Sequence, residues 1–574
     1  MNTGSRFRIA LAAVLFMMVA VHAQGQPNEL SGMSDTDFID FLRTLRVPAS
    51  EIHTTGIQSF PNHQKCGFAV AAEAAQRIAT ASPSLAAEIR SLLTPRMSQT
   101  SIVSPSCRFR IFYDTSGTAE AAMLADDNLR IPGSAHAFAN SVAAIFDSVY
   151  HVEVEEAGFD PPPFEETKAQ YNVYIIQYGG VFYGSVTFGL PRTSGTVKPT
   201  YASYMEIDND FLEYKTKGLN GLRVTAAHEF HHMIQLGTYG MWGGDTWMHE
   251  MTSTYYEEVV YPSINDYFQY IRDFMDKTER PFWIWGSMRS GYELALWPQF
   301  LENRFDHDLM RDVWTRMRKV EPITAMDEAI RARGGDMSAA LCLWAQTNFF
   351  TGYRADRLPA RLYDDAAALA TARVLGQQLV GTRATIHSSL AATGSMYLRV
   401  FNGLDTVSFV VANTDVAEAI KRSSRGIEFE LDVRSAEWDE NFTKLDNGWA
   451  YRFHADVANA LCVSVVEGGS APSADSDLPF PNPFDPTEFS RICFPLPRNA
   501  PVNRADLYIY SASMNLISRR ESQPIELDNT AGAFVAFDGK NEDGTPIPSG
   551  VYFYHLRFGN ETLTGKFAVV IKRR

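Results

Sequence analysis

The spacing of apolar residues changes repeatedly along this chain. Ile9 opens an apolar run that reaches Val21, with Arg6 and Arg8 before it and Ala23 after it. A charged start, a short apolar core and a small residue at the presumed cut describe a secretory signal peptide over 1–23. The run falls short of the ~20 residues that a membrane-spanning helix needs. Ser34-Asp35-Thr36-Asp37 then precedes Phe38, Ile39, Phe41, Leu42 and Leu45, a polar start followed by helical spacing. Residues 71–93 are alanine-rich with the same period. From Arg108 the pattern becomes alternating, as in a half-buried strand, over 108–113, and strands are also expected at 171–177 and 201–211. A helix is expected at 135–154. Helical spacing returns at 222–236, 246–260, 264–275, 292–304 and 308–318. After about 375 only short alternating runs remain: 396–401, 406–413, 427–433, 450–454 and 461–466.

These patterns predict a multidomain protein. At 574 residues the chain exceeds what one core supports, about 250–300 residues. After the leader we expect a helical region at 24–105, either a propeptide or an N-terminal part of the mature fold. An α+β domain should follow at 106–375, then a β-sandwich at 376–470. Gly468-Gly469-Ser470-Ala471-Pro472-Ser473 reads as a linker to a last β-rich unit at 475–574. Beyond the leader no uninterrupted apolar run reaches 18 residues, so no integral membrane span is expected and the product should be secreted or at the cell surface. Acidic residues outnumber basic ones, 67 to 51, which argues against nucleic acid as a partner. Of five cysteines, Cys342 sits in an apolar run and reads as a buried free thiol. Cys66–Cys107 and Cys462–Cys493 are candidate pairs.

The chemistry concentrates at His228-Glu229-Phe230-His231-His232. Residues four apart share a helix face, so His228 and His232 can present two imidazoles to one metal ion, with Glu229 beside them. Val224, Ala227 and Ile234 make this a buried helix, in which ionisable groups need a partner. Catalytic zinc takes three protein ligands and keeps one position open. The glycine-rich turn Gly237–Gly244 and a second helix bring Glu250, 18 positions after His232, into range as the third ligand. His249 is its rival. Glu257 and Glu258, two turns further on, are either supporting or solvated.

The combination resembles the gluzincin superfamily of zinc metallopeptidases, which carry HExxH on one helix and a glutamate ligand on a later one. The resemblance implies a zincin-like catalytic domain, Zn2+ held by His228, His232 and Glu250, and Glu229 as general base for a zinc-bound water. Best-known members have an aspartate four residues after the ligand glutamate; here that position is Thr254. Residues 106–365 also look like a group of secreted bacterial metalloproteases, through Asp114-Thr115-Ser116-Gly117, Tyr183-Gly184, Ile207-Asp208-Asn209-Asp210 and Trp247-x-x-Glu250. Some of those bind calcium in an early Asp/Asn-rich loop, but the counterpart here contains Arg130, so no calcium site is assigned. Tyr292 is the foremost candidate among Tyr255, Tyr256 and His249 for stabilising the oxyanion. Strand 204–208 is expected as the edge that pairs with an extended substrate. Met205-Glu206 invites an aminopeptidase alternative, since zinc aminopeptidases bind the substrate amine with such a glutamate, but its flanks differ and Glu206 reads as a solvent-facing strand residue. The expected activity is therefore endoproteolysis of protein or peptide substrates.

Phe480-Pro481-Asn482-Pro483-Phe484, Phe537-Asp538-Gly539-Lys540-Asn541 and Ser549-Gly550-Val551-Tyr552 resemble the immunoglobulin-like sorting domain of type IX secretion cargo. That resemblance implies an Ig-like β-sandwich for the last unit and an export machinery as partner; with the sandwich read at 376–470, two β-sandwich (Ig-like) domains are expected after the catalytic domain. The competing readings are an accessory β-sandwich for the last unit and, for the whole chain, a metal-stabilised surface adhesion or scaffold protein.

Overall fold

The computed structural model describes residues 30–45, 65–164, 169–192, 198–241, 244–284, 291–357, 363–402, 405–445, 448–470, 484, 486, 491–496, 504–511, 515–528, 532–559 and 561–571. The expected signal peptide, most of the Phe480–Phe484 motif and the later half of the expected linker lie outside them.

Three helices lead the described chain. α1 (Asp35–Leu45) starts where expected: the Asp37 amide donates to Ser34 Oγ at 3.1 Å, and Phe38, Ile39 and Leu42 turn inward. The alanine-rich stretch is two helices, α2 (Phe68–Thr80) and α3 (Pro83–Leu93), because Pro83 can only open a helix and Ser82 caps it. A five-stranded sheet follows, built from β1 (Thr100–Val103), β2 (Phe109–Tyr113), β3 (Tyr171–Ile176), β4 (Gly184–Pro191) and β5 (Tyr201–Asp208). Its order is β1-β2-β3-β5-β4, with β2, β3 and β5 parallel and β4 antiparallel to β5.

This order corrects one expectation. β5 is not an edge: Glu206 pairs with Tyr174 on one side and Ser185 on the other. The edge is β4, which the alternation pattern did not reveal because Gly184, Gly189 and Pro191 interrupt it. A second correction concerns Glu206, which is buried rather than facing solvent.

The two sheet faces are covered differently. α4 (Ala135–Tyr150) and α5 (Gly218–Ile234) pack on one, burying Phe109, Ile111, Val173, Met205 and Ile207. α1, α2 and α3 lie over Ile176, Tyr178 and Phe182 on the other side, as a separate and smaller apolar cluster. A cavity of about 390 Å³ remains between Ala71, Ala75 and Leu93 on these helices and Tyr174, Tyr201 and Tyr204 on the sheet.

Beyond the sheet the chain is helical: α6 (Thr246–Val260), α7 (Phe268–Asp276), α8 (Leu296–Arg304), α9 (Leu309–Met317), α10 (Pro322–Ala332) and α11 (Met337–Phe349). Trp297, Trp314 and Trp344 fill their common core, which continues into Tyr397 and Val410 of the next unit. That unit has two four-stranded sheets around Leu398, Phe409, Leu431 and Trp449. The last unit has a three-stranded and a four-stranded sheet around Phe494, Leu507, Tyr554 and Phe567. The protein is thus mixed α and β with several sheets and more than one core.

Two more expectations change. Gly468, Gly469 and Ser470 are not linker; they pair with Val407, Thr406 and Asp405 as the end of a strand, Leu461–Ser470. Cys342 is not a free thiol. It is disulfide-bonded to Cys462, tying α11 to that strand, while Cys66, Cys107 and Cys493 form no disulfide among the described residues. Neither expected pair forms, because pairing follows the docking of α11 on the sandwich, which spacing does not encode.

Candidate functional site

α5 is buried on every side near its C-terminal end, and α6 packs antiparallel against it after the turn at Gly240. Glu250 thereby faces His228 and His232. Glu250 Oε2 lies 3.1 Å from His228 Nε2 and 3.2 Å from His232 Nε2, and the two Nε2 atoms are 3.1 Å apart. Cys66, from the segment just before α2, brings its Sγ into the same group, with donor atoms of all four residues within 4.8 Å of one another. All four are buried.

The rings are held from behind. His228 Nδ1 bonds Glu257 Oε1 at 2.7 Å, and His232 Nδ1 bonds Gln235 Oε1 at 2.8 Å. Glu257 also receives the Lys65 ammonium on its other oxygen. It therefore accepts, His228 Nδ1 carries the ring proton, and a neutral ring turns its Nε2 lone pair to the centre. Burial holds both imidazoles neutral, depressing their pKa values to about 3. Burial also raises the Glu250 carboxyl. Two imine lone pairs, a carboxylate oxygen and a thiol converging in a buried space suit, in type and number, a borderline-soft cation such as zinc. A cation among these donor atoms would take the place of a shared proton and relieve the repulsion between the lone pairs.

Glu229 stands beside this group, within 3.4 Å of Cys66 Sγ, and burial pushes its pKa up. Tyr292 closes the far side. Its hydroxyl accepts from the Cys66 amide at 3.2 Å, and its ring lies 5.8 Å from that of His228 between centroids. The five residues singled out from sequence, His228, Glu229, His232, Glu250 and Tyr292, are therefore neighbours. His249 is not among them: its Nδ1 bonds Asp245 O at 3.0 Å and its ring packs against Trp314. Tyr255 donates to Glu302 at 2.8 Å, and Tyr256 stacks on His231, so both belong to the surrounding core. His231 itself turns away to Glu153, 2.9 Å distant. Thr254 Oγ1 finds no hydrogen-bond partner among the described residues, and Glu257 orients His228 in place of the missing aspartate.

The start of α6 is fastened from two distant places. Asp245 receives the buried Lys198 ammonium at 3.0 Å on one oxygen and Arg422, from the unit after 375, on the other. Arg422 also donates to Gly244 O at 2.9 Å.

Lys65 and Cys66 are the residues that sequence reasoning missed. Lys65 is fully enclosed between Glu257 and Asp266. Burial lowers its pKa, but Asp266 and Glu257 outweigh that and leave it raised. Phe68 stacks on His232 with ring centroids 4.1 Å apart and interplanar angle 6°. The available signal was Lys65-Cys66-Gly67 immediately before a helix.

No protein-family model matches the chain, and no curated protein matches it. Among solved structures, part of the chain is similar to part of PorZ, described as an essential bacterial surface component of the type IX secretion system of Porphyromonas gingivalis. The match covers 30% of this chain and 22% of that one, at 14% identity and a TM-score of 0.13. The chain thus spans about a fifth of PorZ, and a likeness this slight carries no argument about fold or function. Among the described residues, no helix is long and apolar enough to cross a membrane.

Proposed function

We propose that this chain is a secreted zinc endopeptidase of the gluzincin type, with a zincin-like catalytic unit. The observation that carries the reading is the convergence of His228 Nε2, His232 Nε2 and Glu250 Oε2 beside Glu229. A bound zinc ion would polarise the scissile carbonyl and bring the pKa of water toward ~7. The residues of this chain do the rest. His228, His232 and Glu250 hold the ion, Glu257 and Gln235 fix the two rings, and Glu229 takes the proton of the attacking water and returns it to the leaving amine. The Tyr292 hydroxyl, beside the centre, would donate to the developing oxyanion. Edge strand β4, bridged at its start by Cys66, is the strand that an extended peptide would pair with. The two sheets of the last unit suit the Ig-like sorting domain that its motifs resemble, with an export machinery as partner.

The test is a peptide-library digest read by mass spectrometry, using protein processed as it is on export. Cleavage should vanish with a chelator and with Glu229→Gln, while Glu229→Gln still binds zinc. Full cleavage by zinc-free protein would end the reading. No cleavage by wild type or Glu229→Gln, with loss of stability when the metal is removed, would leave the scaffold reading, in which the metal only stabilises the fold. Cleavage restricted to free amino termini would favour the aminopeptidase.

A further inference from the structure

We propose that Cys66 is a fourth ligand to the metal, and that Lys65, Cys66, Gly67 and Phe68 form a built-in plug that keeps the full chain latent; this rests on the zinc-site reading above. Catalytic zinc needs an open fourth position. Cys66 Sγ lies in the donor group with His228, His232 and Glu250 and 3.4 Å from Glu229 Oε2, in the space that attacking water needs.

The thiol is held there by more than its own contacts. The Tyr183 amide donates to Lys65 O and the Gly67 amide to Gly184 O, both at 2.9 Å. Cys66 thus bridges to Gly184 at the start of β4, the edge a substrate would use. The Cys66 amide is taken by Tyr292. Only glycine fits after the cysteine, since a Cβ at Gly67 would come 2.6 Å from Ser185 Oγ. Lys65 is clamped by Glu257, the same carboxylate that orients His228, so the plug and the metal site share a residue. Phe68 lies over His232 and against Phe188, filling the apolar space beside the site.

The segment carrying the plug is joined to the sheet unit by a connector that a protease can reach. Leu30, Phe38, Val70 and Ile89 form a small cluster with Tyr178 and Phe182, while Phe68, Ala71 and Ala72 of α2 join the main core. A cavity of about 390 Å³ separates part of α2 and α3 from the sheet. The connector between α3 and β1 is open to solvent, with Met97 93% exposed. When the metal binds, the thiol loses its proton, which Glu229 Oε2 is placed to accept, and a sulfur–metal bond forms. Hydrolysis of a connector peptide bond by a second protease, one water consumed, frees the segment. The sulfur–metal bond then breaks, the thiolate regains a proton, and the fourth position opens.

The test uses the full chain loaded with cobalt(II). A near-ultraviolet thiolate-to-cobalt band should be present in wild type, lost in Cys66→Ser and kept in Cys107→Ser. Cys66→Ala, which preserves the backbone pairing, serves if the serine variant folds poorly. In parallel, wild-type full chain should digest a peptide library only after limited trypsin treatment, and Cys66→Ser should digest it untreated. If the open state is under a tenth of the population, the rise should be about tenfold or more. Cobalt bound through His228 without the band, or a band that survives Cys66→Ser, overturns the proposal and leaves the zinc site standing. No cobalt bound by wild type overturns both.

Discussion

Glu257→Gln probes the residue on which the two halves of the site meet. The side chain keeps its shape but loses its charge, and one accepting oxygen becomes a donor. Glu257 Oε1 receives His228 Nδ1 at 2.7 Å and its other oxygen receives Lys65. The amide can satisfy only one of them and turns its NH2 toward the other. Loss of the acceptor behind a ligating histidine typically costs 10–100-fold in metal affinity, about 1.4–2.8 kcal/mol. Leaving a buried charge without its partner costs about 3–5 kcal/mol, and here Asp266 still holds Lys65, so the low end, about 3 kcal/mol, is expected for the metal-free fold. Zinc affinity would be measured by competition with a chromophoric chelator, and stability by urea unfolding of metal-free protein. Repeating the competition in a Cys66→Ser background isolates the histidine contribution from any change at the thiol. A folded Glu257→Gln protein that binds zinc within twofold of its parent in that background would refute the reasoning.

Three further outcomes follow from the same geometry. Gly291 has φ of +118°, and a Cβ there would come 2.3 Å from Trp247 O and 2.8 Å from Glu250 Cβ; Gly291→Ala should displace Glu250 and weaken zinc about tenfold or more in the same competition. Cys342 and Cys462 close a loop with a sequence separation of 120; replacing both with serine should lower stability by up to about 5 kcal/mol by the chain-entropy argument, read from urea midpoints, and no change would mean that the denatured state is not constrained by it. Tyr292→Phe in processed protein should lower kcat about 100-fold with KM little changed if its hydroxyl serves the oxyanion, whereas a rise in KM alone would assign it to substrate binding.

The readable part of the site was the part written in helical spacing. His228 and His232 are four apart, and Glu257 is seven after Glu250, so each pair shares a face whatever the rest of the fold does. The alternation over Phe109–Tyr113 likewise survives as a strand with alternating burial. What escaped was non-local. Cys66 meets Glu229, 163 residues on, and Lys65 meets Glu257, 192 residues on, and no local pattern records such meetings. The same holds for Cys342, whose partner depends on how a helix docks on a sheet. β4 escaped for a different reason: its glycines and proline suit an edge, where unpaired backbone tolerates them, and weaken the alternation by which strands are recognised.

The anchoring of Asp245 by Arg422 has a consequence for how the molecule can be divided. Changes in element type suggest a cut near 375, with an enzyme before it and accessory modules after it. Yet the residue that steadies the first turn of α6, and with it the reach of Glu250, comes from beyond that cut. A fragment ending at 375 would keep every residue that touches the centre and the Lys198 contact, but lose the Arg422 half of the fastening. The candidate centre and the folding unit therefore have different borders, and the sandwich is part of the centre's frame rather than luggage attached to it.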